Sequence, residues 1–255
     1  MPPFYWTHSR ASHKRPGLLF GQTFRKAGFS LCKGVKMYSF KTLEIAGYRN
    51  ESVSNTFLQQ DKAARQVAIV LPGVGYTCHM PLLYYPTQVL LALGMDVLRV
   101  EYNYIRRPDY RALSDAEQRH WLFTDVTAAC QAALAQHSYQ QVTLVGKSLG
   151  TVAMSHLLAT DARFVQSRLV WLTPVLRNDE VRAQIRRSGP RALVAIGTAD
   201  PFYDPAYLGD LQAAAKSEVF VVDGADHSLE IVGNVQQSLQ ILERVTRAIQ
   251  AFVSE

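Results

Sequence analysis

Residues 141–158 read QVTLVGKSLGTVAMSHLL, and this stretch decides the fold. The run QVTLV is continuously apolar enough for a strand buried on both faces, and TVAMSHLLA after it carries a helical pattern. Between them stands Gly146-Lys147-Ser148-Leu149-Gly150, a G-x-S-x-G sequence on a strand-to-helix turn. A serine displayed on so sharp a turn needs glycine two residues to either side, because larger side chains there would strike the folded-back backbone. The helix start also aims backbone N–H groups at any oxyanion forming beside the serine, with Leu149 as the expected donor. An ordinary glycine-flanked turn is the plainer account of these five residues taken alone. The rest of the chain must therefore decide.

On either side, apolar runs alternate with helical patterns. Residues 37–46 and 53–59 read as two strands joined by a turn at 47–51. QVAIVL at 66–71 and DVLRVE at 96–101 are strands around a helix at 81–93. After the elbow come strands at 169–172, 192–196 and 218–222, with helices at 181–187, 205–215 and 237–252. This alternation implies a mainly parallel, doubly wound α/β sheet of about eight strands with helices on both faces.

With its G-x-S-x-G turn in mid-chain, the sequence resembles the α/β-hydrolase superfamily from Met37 to the C-terminus. The resemblance implies an acid and a histidine after the serine in chain order, on loops that follow later strands. Asp200 stands in GTADP directly after the strand at 192–196. His227 stands in GADHSL after the strand at 218–222. The chemistry needs this trio: a hydroxyl is a weak nucleophile until an imidazole takes its proton, and a carboxylate fixes the imidazole's tautomer. Asp204, four residues past Asp200, precedes Pro205 and reads as a helix cap instead. Ser148, Asp200 and His227 are thus the expected triad.

The family places its second oxyanion donor after the strand at 66–71, here in Pro72-Gly73-Val74-Gly75-Tyr76-Thr77. Relatives commonly carry His-Gly where this chain has Pro72-Gly73. Val74 is the first choice, with Gly75 or Tyr76 as alternatives. Gly75, Tyr76, His79 and Tyr104 are candidate lining of the substrate pocket, against the plainer reading of His79 and Tyr104 as ordinary loop residues. The interval 173–191 holds one short helix, so a core without a separate cap domain is expected.

Composition excludes other classes. The 255 residues are 48% hydrophobic, yet no run approaches the roughly 18 apolar residues of a spanning helix. The net charge of +6 is concentrated at the start, since residues 1–36 hold seven Lys and Arg and no acid. The remainder carries 20 basic against 21 acidic residues, too even for a duplex-binding face. Residues 1–36 read as a basic extension without periodicity, and 37–255 as a single domain. Three cysteines without C-x-x-C spacing support neither a disulfide framework nor a zinc site, and the scattered histidines indicate no metal. No cofactor is expected, no secretory signal is evident, and a cytoplasmic protein fits both.

The expected function is a serine hydrolase cleaving a small-molecule ester or thioester through an acyl-enzyme. Two alternatives stand beside it. A non-catalytic protein could keep the fold. A nucleotide-binding oxidoreductase would use Gly73-x-Gly75 and Glu101, but Cys78 occupies the third glycine position and Pro81 delays the helix.

Overall fold

The computed structural model describes residues 38–255. The seven basic residues before Met37 and Cys32 lie outside them. Among the described residues there are eight strands: β1 (Tyr38–Lys41), β2 (Asn55–Gln60), β3 (Gln66–Leu71), β4 (Asp96–Val100), β5 (Gln141–Lys147), β6 (Arg168–Leu172), β7 (Ala192–Gly197) and β8 (Glu218–Val222). They form one sheet in the order β1-β2-β4-β3-β5-β6-β7-β8. β2 runs antiparallel to both its neighbours, and every pair from β4 to β8 is parallel.

The helices are α1 (Pro81–Ala92), α2 (Pro108–Arg111), α3 (Asp115–Leu134), α4 (Leu149–Thr160), α5 (Asp179–Ser188), α6 (Pro205–Asp210) and α7 (Val235–Ser254). They divide between the two faces of the sheet. Val67, Ile69 and Leu71 of β3 point into a core shared with α3, α4, α5 and α6. Ala68 and Val70, on the opposite face, pack with α1 and α7. β7 repeats the alternation, with Ala192, Val194 and Ile196 on the first face and Leu193 and Ala195 on the second. Both faces of these strands are dry, which is why their sequences run apolar without a period of two.

Two sequence expectations change at the edges. The strand expected at 37–46 pairs only over Tyr38–Lys41. Beyond it the buried Asn55 side chain accepts from the Leu43 N–H and donates to the Leu43 and Val53 carbonyls. A side-chain amide thus satisfies backbone groups that a ladder would otherwise pair. The helix expected at 205–215 keeps α-helical form only to Asp210, and Leu211–Ala215 forms one wider turn closed by Lys216 at φ 56°. Only α5 and a single 3-10 turn at Gly189–Arg191 lie between β6 and β7, so no cap domain is inserted there.

Candidate active site

β5 ends at Lys147 and α4 begins at Leu149, leaving Ser148 alone at the corner with φ 51° and ψ −113°. Backbone in this region costs a non-glycine residue of order 1–3 kcal/mol and persists only where its surroundings enforce it. They do so here. A Cβ at Gly150 would overlap the Leu71 carbonyl, and one at Gly146 would meet the Met154 sulfur and the Gly150 carbonyl. The Ser148 N–H bonds to the Leu172 carbonyl at 3.1 Å. The turn is clamped between α4 and the neighbouring strands, with its side chain lifted off the end of the sheet.

β7 and β8 deliver the other two groups by a close approach of their loops. A Cβ at Gly197 would overlap the Ala225 carbonyl, so glycine lets the loops after β7 and β8 touch. The Ala199 N–H bonds to Ala225 O at 3.0 Å, while the Thr198 hydroxyl donates to Asp223 and accepts from the Gly224 N–H. Asp200, 4% exposed, accepts from the Phe202 N–H at 2.8 Å through Oδ1. Its Oδ2 lies 2.8 Å from His227 Nδ1, and His227 Nε2 lies 2.9 Å from Ser148 Oγ. The carboxylate assigns the tautomer: Nδ1–H donates to Asp200, and Nε2 is left to accept from the serine hydroxyl. Asp204 caps α6 by accepting from the Tyr207 N–H and pairs with Arg182 at 2.9 Å.

The turn after β3 closes through two bonds between Gly73 and Tyr76, each donating its N–H to the other's carbonyl. That pairing uses the Tyr76 N–H and leaves those of Val74 and Gly75 outside it. Gly73 sits against Ser148, where an added Cβ would come within 3.2 Å of the serine Cβ. Leu149 opens α4, so its N–H has no acceptor inside the helix. Leu149 and the Val74–Gly75 segment are therefore the candidate donors near Ser148.

The four pocket candidates separate. Gly75 forms the tip of the turn at φ 70°, against Ile105. Tyr76 lines a cavity of about 410 Å³ shared with Leu82, Leu229, Val235 and Leu239, whose lining includes Asp226 and Ser228 but none of Ser148, Asp200 and His227. His79 is exposed and lies 3.7 Å from Glu101. Tyr104 is buried, stacked between Tyr102 and Tyr110, and donates to Asp125 at 2.7 Å. Glu101 is also 3.3 Å from Arg99, so the acid that a ribose would need is already engaged. Among the described residues no group of three or more acidic, histidine or cysteine side chains converges as a metal site.

One functional neighbour carries no sequence signal of its own. Lys147, the variable residue before the serine, is buried beneath the site and donates to the His227 carbonyl.

The alpha/beta hydrolase domain model matches residues 64–254. The chain belongs to the alpha/beta hydrolase family. No curated protein matches the sequence. Similar solved structures include an α/β serine hydrolase without a lid from Xanthomonas campestris, at 19% identity and TM-score 0.58, covering 85% of this chain and 94% of that one. An esterase from Pyrococcus furiosus matches at 15% identity and TM-score 0.62, covering 85% and 92% of the two chains. A dienelactone hydrolase from Anabaena variabilis matches at 16% identity and TM-score 0.59, covering 85% and 97%. At these identities the likeness establishes the fold of the hydrolase domain. No described helix of the domain is long and apolar enough to cross a membrane.

Proposed function

We propose that this hydrolase domain cleaves a small-molecule ester or thioester through an acyl-enzyme on Ser148, His227 and Asp200. The observation that carries the reading is the continuous relay from Asp200 Oδ2 through both imidazole nitrogens to Ser148 Oγ, with links of 2.8 and 2.9 Å. Hydrogen-bond reach between nucleophile, base and orienting acid is what nucleophilic catalysis requires.

The steps follow from the atoms. Ser148 Oγ attacks the substrate carbonyl carbon while His227 Nε2 takes its proton. The carbonyl oxygen becomes an oxyanion between the Leu149 N–H and the Val74 or Gly75 N–H. Asp200 offsets the charge of the imidazolium without taking its proton. Collapse of the tetrahedral intermediate breaks the bond to the alcohol or thiol, which leaves with the proton from Nε2. Water then attacks the acyl-serine, giving its proton to Nε2, and the second collapse releases the acid and restores the hydroxyl.

The test is reaction with a fluorophosphonate probe followed by peptide mapping, alongside turnover of a short-chain aryl ester. An adduct on Ser148 together with turnover is expected. A folded protein that neither reacts nor turns over the ester overturns the reading, and favours a binding protein that has kept the fold.

A further inference from the structure

Lys147 is an expensive residue to place where it is. Its side chain is 2% exposed and lies among apolar groups, where an ammonium loses most of its hydration. By the alternation of β5 it shares the face of Val145, which packs toward α1 and α7. A methionine would fill the same volume without that penalty. What the ammonium gains there is a set of contacts that all belong to the active site. Nζ donates to the His227 carbonyl at 3.0 Å and lies 4.5 Å from the ring centre of Tyr76. Tyr76 is fixed in turn, its hydroxyl accepting from the Leu82 N–H at the start of α1.

The loop that carries the histidine needs such a tie. Asp226 accepts from the Ser228 and Glu230 N–H groups, and the Asp226 N–H bonds to the Glu230 carbonyl. These bonds fold residues 226–230 upon themselves, and Ala225 joins them to Ala199. The link from His227's own backbone to the nucleophile strand is Lys147, one residue before Ser148. One side chain therefore spans nucleophile, base and oxyanion turn.

The geometry points to Lys147 as a positioning residue for the proposed hydrolysis: its ammonium bolts the His227 backbone to the end of β5, setting Nε2 opposite Ser148 Oγ. This rests on the hydrolase reading given above. The ionisable groups around it are Asp200 after β7, Asp226 and His227 after β8, and Tyr76 after β3. Burial draws the lysine down to about 8, while Asp200 and Asp226 act in the opposite direction, so the amine is mainly charged at neutral pH.

The experiment compares the wild-type chain with K147M and K147Q in aryl-ester turnover from pH 5 to 9, with melting temperatures recorded for each. K147M is expected to melt close to the wild type and to lose roughly 10²-fold in kcat, the scale of a displaced catalytic group, with KM little changed. K147Q keeps a donor, so it recovers part of kcat. Wild-type kcat in K147M overturns the proposal. So does a loss of kcat that K147Q does not relieve, for that is a packing defect. Failure of both variants to fold makes Lys147 a folding residue and also overturns it. If the wild type itself is inactive and unreactive toward the fluorophosphonate, the hydrolase reading falls and this proposal falls with it.

Discussion

Two loop regions at the same edge of the sheet look alike in composition and behave differently. The loops after β7 and β8 carry Asp200 and His227, whose side chains are linked by hydrogen bonds to each other and to Ser148. The segment after β4, rich in tyrosine and arginine, has the residues expected of a recognition loop. Its Tyr102, Tyr104 and Tyr110 instead stack in series, with neighbouring ring centres 4.8 and 4.4 Å apart, and Tyr104 and Tyr110 meet Trp121 of α3 edge-on. Asp125 lies beneath and accepts from the Tyr104 hydroxyl and the Tyr48 N–H. Tyr102 reaches back to the Pro72 carbonyl at 2.8 Å and so braces the turn after β3. One region turns its polar side chains toward Ser148 and the other spends its polar atoms on its own wall. The difference lies in where the hydrogen bonds end, which composition does not reveal.

Substitutions make the contrast measurable. Ser148→Ala is expected to cut ester turnover by on the order of 10⁴-fold or more while leaving the melting temperature unchanged or higher, since alanine removes the nucleophile without entering new space. Survival of wild-type kinetic constants would remove the serine from the chemistry. Asp200→Asn should lower kcat by about 10³–10⁴-fold, because an amide reverses the tautomer preference of His227.

Asp125→Ala tests the other region and should do the opposite. It strands the Tyr104 hydroxyl and the Tyr48 N–H, at a cost of about 2–3 kcal/mol in chemical denaturation, with kcat close to wild type. A large fall in kcat without loss of stability would place the tyrosine wall among the substrate contacts.

Asp204→Asn is the small effect that sharpens the comparison. Asparagine still caps α6, so the expected change is the loss of a half-exposed ion pair with Arg182, about 0.2–1 kcal/mol, and no change in turnover. If Asp204→Asn were the inactive variant and Asp200→Asn normal, the acid would have to be reassigned.

A pH dependence of stability follows from Lys147. Its folded value of about 8 lies below the ordinary 10.5, so the unfolded chain holds the extra proton between those values. The contribution of this group to stability therefore rises with pH across that window and is flat below it. Denaturation midpoints at about pH 7 and pH 10 should show the wild type gaining on K147M as pH increases; a constant difference would place the lysine in water.

The amino-acid order alone determined the alternation of buried strands and helices, and with it the edge of the sheet on which the loops at 146–150, 197–204 and 223–229 emerge. It also separated Asp200 from Asp204, because Pro205 marks a helix start and a residue before it serves as a cap. These features are local: a buried strand, a forced turn and a helix end are each written within a few neighbouring residues. Tertiary structure decided the rest. The early strand is short because Asn55, 12 residues from Leu43, takes over its backbone groups. Tyr104 becomes wall because Asp125, 21 residues away, takes its proton-donor bond. Lys147 meets the carbonyl of a residue 80 positions downstream. Each depends on a polar atom finding its partner across the fold, and a sequence states which donors and acceptors exist without stating which of them burial brings together.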